Sequence, residues 1–105
     1  MSAADPRTIT FDPRQLQRKF KHAVDFGVMG KYSRQQATMF ERAIRAHVED
    51  ETTLMIPGTY RGELVTHFVN PQTGLHVMRD MQGAFVSRWR LTLAQLTNVL
   101  VRGSL

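Results

Sequence analysis

The hydrophobic period of this sequence changes near residue 54, from helical spacing to strand alternation, and that switch confines the chain to few folds. Before it, Leu16, Phe20, Ala23 and Val24 recur at helical spacing. They follow Asp12-Pro13, where Asp12 can cap and Pro13 suits a first helical position. Asp25-Phe26-Gly27 ends that segment, and Gly27 and Gly30 mark a loop. A second stripe, Ala37, Phe40, Ala43, Ile44 and Val48, follows Ser33 and ends at Glu49-Asp50-Glu51. Asp12 with Gln15, Ser33 with Gln36 and Thr92 with Gln95 all have capping-box spacing.

After the switch, Leu54-Met55-Ile56 reads as a short apolar strand stopped by Pro57-Gly58. Residues 63–69 and 75–79 flank the turn sequence Asn70-Pro71-Gln72-Thr73-Gly74 as hairpin partners. A second turn, Asp80-Met81-Gln82-Gly83, leads into 84–90 as the third strand of a meander. Leu93, Leu96, Val99 and Leu100 mark a short helix that stops near Gly103. The expected architecture is α+β: two N-terminal helices packed on an antiparallel β-meander, with a short C-terminal helix. Residues 1–10 are polar and aperiodic and read as a linker or disordered start, which leaves 11–105 as the domain.

Several function classes drop out. At 105 residues the chain is one domain's worth. It has no cysteine, so disulfide scaffolds, thiolate nucleophiles and Cys-ligated metal sites are excluded. No apolar run approaches the ~18 residues needed to span a bilayer, and Met1 to Thr10 has no signal-peptide h-region. Neither a P-loop nor G-x-G-x-x-G nor H-E-x-x-H is present, so no metal or cofactor is expected. The 14 Lys and Arg exceed the 9 Asp and Glu by five, which favours a polyanionic partner. Most of these cations are arginine, whose planar fork suits phosphate.

The first helical segment concentrates that charge. Arg14, Arg18, Lys19, Lys21 and His22 lie outside its apolar arc, with no carboxylate between Asp12 and Asp25. Such a run is ordinarily a solvated face. Here, however, no Glu sits at i±4 to relieve the repulsion, and a histidine among cations has its pKa lowered toward use as a base. The last strand carries a second feature. Strict alternation puts Phe85, Ser87 and Trp89 on one face and Arg88 and Arg90 on the other. A tryptophan there is most simply a core residue, but one flanked by arginines can also stack a base beside a phosphate. Of the other histidines, His47 is placed to meet a helix dipole as a cation. His67 and His76 share a face only in some strand registers.

Three segments, FDPRQLQRKFKHAVDFGV (11–28), GTYRGELVTHFVNPQTGLHVM (58–78) and GAFVSRWRLTLAQLTNVL (83–100), resemble the colicin D catalytic-domain family. The similarity runs in order from residue 11 onward and is weakest over 31–53. Its distinctive parts are Lys19-Phe20-Lys21-His22 and Ser87-x-Trp89. The resemblance implies a metal-independent toxin ribonuclease of the barnase/colicin/RelE-like class, carried by bacteriocins or contact-dependent inhibition proteins and cleaving tRNA in the anticodon loop. It implies His22 as catalytic acid/base, with Lys19, Lys21, Ser87 and Trp89 lining the same site. Arg14, Arg18, Arg88 and Arg90 are expected to bind RNA.

The implied partners are tRNA, an acidic immunity protein covering the active site, and a larger delivery protein N-terminal to this domain. It would be secreted or delivered in that larger protein and act in the cytoplasm of the target bacterium. The competing readings are a non-catalytic basic RNA-binding module and, last, a membrane-surface protein.

Overall fold

In the structure, a computed structural model that describes residues 7–20, 27–28 and 30–105, the β-rich segments pair in the order in which they occur. The strands β1 (Leu54–Tyr60), β2 (Glu63–Val69), β3 (Leu75–Asp80) and β4 (Phe85–Arg90) form an antiparallel meander. Two helices, α1 (Pro13–Lys19) and α2 (Arg34–Glu49), precede it, and α3 (Leu93–Arg102) follows. This is the α+β architecture expected from the period switch.

Each face of the sheet has its own apolar layer. Phe68, Val77 and Phe85 lie on one face beneath Leu16 of α1 and Phe40, Ile44 and Val48 of α2, with Ile9 and Val28 in the same cluster. Val69, Ile56 and Trp89 lie on the other, beneath Leu96 and Val99 of α3. Phe40, Ile44, Val48, Phe68, Val77 and Val99 have no exposed surface. Burial of such a side chain contributes about 1.5–3 kcal/mol. The layer under α1 and α2 is the larger and anchors the domain.

Both sheet edges are covered. Thr10 donates to Gly83 O at 2.8 Å and accepts from the Phe85 N–H, forming a parallel bridge beside β4. Thr59 of β1 is bridged in the same way by Ser104. Residues 7–10 therefore belong to the fold rather than to a linker. Ile9 is 1% exposed, and the Arg7 guanidinium donates to Val48 O and Thr53 O. Residues 1–6 lie outside the described residues.

Other local expectations are corrected. Strand β1 does not stop at Pro57-Gly58 but continues to Tyr60. It has β2 on one side and only the single Ser104 bridge on the other, and at a sheet edge a proline's missing N–H need not interrupt pairing. Gly58 is needed because a Cβ there would collide with the Gly103 carbonyl. Of the three capping boxes, α3 alone shows both arms, Thr92 accepting from Gln95 N and Gln95 from Thr92 N. Helix α1 is capped at Phe20, and the expected face residues Ala23 and Val24 lie outside the described residues.

Candidate active site

The candidate site is assembled by α1 and β4. Asp12 caps α1 by accepting from the Arg14 N–H at 2.8 Å, and Leu16 plugs the helix into the core. Gln15 does not reach back to its cap. Its side-chain amide donates to the carbonyl of Val86, fastening α1 to β4. Lys19 follows Gln15 by four residues and so lies on the same side of the helix, toward β4, where it is half-buried. Arg14 and Arg18 are exposed. Lys21 and His22 lie outside the described residues.

Strand β4 departs from simple alternation. Met78 pairs with Ser87 while Arg79 pairs with Phe85, so Val86 is an extra residue in a β-bulge. One additional residue reverses the pleat. Phe85 therefore turns into the layer under α1 and α2, away from the face shared by Ser87 and Trp89. The expectation that all three share a face fails for Phe85 for this reason.

Ser87 is buried and Trp89 half-buried. The Trp89 ring packs edge-on against His76 at 5.2 Å and tilted against Tyr60 at 5.9 Å. Its Nε1–H donates to Gln95 Oε1 at 3.3 Å. This tryptophan is thus partly a core residue, held from three sides. Arg88 projects to the opposite face with no exposed surface, its guanidinium 4.9 Å from the centre of the Phe40 ring, and it offers nothing to a surface ligand. Arg90 is exposed and donates to Thr73 O at 2.6 Å.

The observed register also resolves the remaining histidines. His67 and His76 face the same side and hydrogen-bond directly, Nδ1 to Nε2, at 2.8 Å. His67 Nε2 lies 3.1 Å from Thr59 O and 3.0 Å from Gly103 O, two atoms that can only accept. His67 must therefore carry its proton on Nε2, which leaves Nδ1 to accept from His76 Nε2–H. His76 Nδ1 is then a buried acceptor with no partner in the structure. Burial, then the neighbouring His67, then His47, push the His76 pKa down to about 3. His67 is lowered by burial against the opposing effect of its two carbonyl bonds.

His47 corrects another expectation. It does not serve the helix dipole as a cation, because it is buried, donates to Phe68 O at 2.8 Å and has its pKa lowered chiefly by desolvation. These buried histidines are neutral packing groups. Spacing could not reveal the pair, because only the register of β2 against β3 sets it. Among the described residues, no group of three or more His, Asp or Glu is placed to hold a metal ion.

Comparison with known proteins gives one consistent answer. Residues 15–99 match the protein family described as Colicin D. The chain is 39% identical over 83 residues to Colicin-D of Escherichia coli, covering 77% of this chain but 12% of that protein. A solved structure described as a ribonuclease from Escherichia coli complexed with its inhibitor protein superposes with a TM-score of 0.74 at 34% identity. That match covers 87% of this chain and 100% of the other.

Proposed function

The chain belongs to the colicin D family, and from that premise we propose that it is a metal-independent endoribonuclease toxin domain that cleaves tRNA in the anticodon loop. In this reaction a ribose 2′-OH attacks its own 3′-phosphate, the bond to the 5′-oxygen breaks, and a 2′,3′-cyclic phosphate and a 5′-OH result. The chemistry needs a proton acceptor at the 2′-OH, a donor at the leaving oxygen and positive charge on the pentavalent phosphorus centre. His22 transfers the proton. Lys19 and Lys21 offset the developing charge, Ser87 hydrogen-bonds a phosphate oxygen, and Trp89 walls or stacks an unpaired loop base. Arg14, Arg18 and Arg90 are surface cations available to the RNA backbone.

The observation that carries this reading is the Gln15 to Val86 hydrogen bond. It fastens α1, which carries Lys19, to the strand that carries Ser87 and Trp89, and this supports reading groups 68 residues apart in sequence as parts of one site. The partners follow by analogy. The structural relative is bound to an inhibitor protein, so an acidic immunity protein is proposed to cover the basic helix by presenting carboxylates where phosphates would bind. The chain spans about an eighth of the length of Colicin-D, which supports delivery as one domain of a larger protein into the cytoplasm of a target bacterium.

The test is incubation with total bacterial tRNA in EDTA, followed by end mapping. Discrete fragments with 5′-OH and 2′,3′-cyclic phosphate ends support the proposal. Intact tRNA that is only retarded in a gel refutes the catalytic reading and leaves a basic RNA-binding module.

A further inference from the structure

The loop between β1 and β2 is two residues long, because Tyr60 and Glu63 are the last pair of the ladder. Both loop residues have positive φ, Arg61 at 51° and Gly62 at 83°. Tight hairpin loops of this kind ordinarily place Asn, Asp or Gly at the first position. Arg61 is the sole non-glycine residue with positive φ among the described residues. A long side chain in that conformation is strained by roughly 1 kcal/mol or more, so its presence calls for a use outside the turn.

The surroundings indicate the use. The Arg61 guanidinium lies 5.0 Å from the centre of the Tyr60 ring, and the Arg61 N–H is pinned to Leu105 O at 3.0 Å. Tyr60 and Glu63, directly opposite each other, share the sheet face of Ile56, the face that also carries Trp89. Tyr60 touches Trp89 and also lines a groove of about 610 Å³ with Arg61, Glu63, Asp80, Met81 and Val86. Val86 adjoins Ser87 in sequence, so the groove meets the candidate site at both Val86 and Tyr60. Its polar lining is mixed, with Arg61 set against Glu63 and Asp80. The two carboxylates oppose entry of a phosphate and favour a base carrying amino donors. The exposed Arg61 can meet the backbone at the rim.

We propose that Tyr60, Arg61 and the adjoining groove form a nucleotide subsite, in which Tyr60 stacks a base flanking the cleaved phosphate and Arg61 holds that nucleotide's own phosphate. This rests on the ribonuclease reading for its orientation but not for its binding chemistry, so the two are tested separately. The binding probe is a mixed-sequence 2′-O-methyl octanucleotide pool, which lacks the attacking hydroxyl, followed by fluorescence anisotropy. Arg61→Asn tolerates positive φ and removes the guanidinium, while Tyr60→Ser removes the ring. Each weakens binding about tenfold, the scale of one stacked base or one lost phosphate contact. Tyr60→Phe, which keeps the ring, recovers most of it. On tRNA, both losses raise KM more than they lower kcat.

Equal binding by wild type and Arg61→Asn, or no binding of the pool by wild type, overturns the subsite. Cleavage of tRNA with unchanged KM in Arg61→Asn also overturns it while leaving the ribonuclease reading intact. Loss of oligonucleotide binding in the variants, together with uncut tRNA in wild type, upholds the subsite and rejects the ribonuclease.

Discussion

Lowering the pH from 7 to 5 should destabilise this domain by an amount set largely by one side chain. His76 has no exposed surface, and its neutral form is fixed by donation to His67 Nδ1. Its pKa falls from 6.5 to about 3 on folding, through burial first and then through His67 and His47. Above pH 6.5 both the folded and unfolded chains hold the ring neutral, and stability is insensitive to it. As the pH falls toward 3, the unfolded chain binds a proton that the folded one excludes, so stability drops with pH. Each pH unit inside that window is worth about 1.4 kcal/mol, which gives about 2 kcal/mol at pH 5. For a domain of this size that corresponds to a fall of roughly 10 °C in Tm.

His67 and His47 are lowered as well and act in the same direction. Asp50 is held below the usual carboxylate value by its hydrogen bonds to Thr52, so it stays ionised across the pH 7 to 5 range and adds nothing to this slope. The assay is thermal melting at closely spaced pH values, compared with His76→Gln, which retains a donor for His67. The variant should show a flatter slope between pH 7 and 5 whatever its absolute Tm. A Tm that stays constant from pH 7 to 5 in wild type, or an identical slope in the variant, would refute the reasoning.

Three further outcomes are expected. His22→Ala should abolish tRNA cleavage while leaving filter binding of tRNA within a few-fold; lost binding would make His22 a contact residue instead. Ser87→Ala should lower kcat on tRNA by about a hundredfold to a thousandfold with little change in Tm, the range expected for one hydrogen bond formed in the transition state. Gly58→Ala places a methyl group on the Gly103 carbonyl, which accepts from both the Thr59 N–H and His67. It should cost about 1–3 kcal/mol by denaturant melting, and an unchanged midpoint would show that the C-terminal segment yields freely.

The elements were legible where the cause is local. The period switch, the three N-caps Asp12, Ser33 and Thr92, and the turn chemistry at 70–74 and 80–83 act within a few residues, and each corresponds to an observed boundary. What sequence could not supply came from tertiary neighbours. Pro57 looks like a strand terminator until β1 is known to be an edge strand. His47 looks like a helix-end cation until the Phe68 carbonyl lies beneath it. Arg88 looks like an RNA contact until α2 covers it with Phe40.

Two of the differences share one physical origin, and it bears on the candidate site. Reading β4 with period two assumes an unbroken pleat, and Val86 violates it without the glycine that would flag one type of bulge. Reading Gln15 as half of a capping box assumes that the nearest backbone group is its best partner. A bulged residue drops out of the ladder, and the Val86 carbonyl becomes the acceptor that Gln15 takes in place of its own cap. The bulge thus does two things together. It turns Phe85 into the core and away from Ser87 and Trp89, and it supplies the anchor that aligns α1, with Lys19, against the strand carrying them. The chemical groups were readable in sequence because residue type is local information. The docking of α1 on β4 was not, since it depends on one carbonyl more than 70 residues away from the glutamine that binds it.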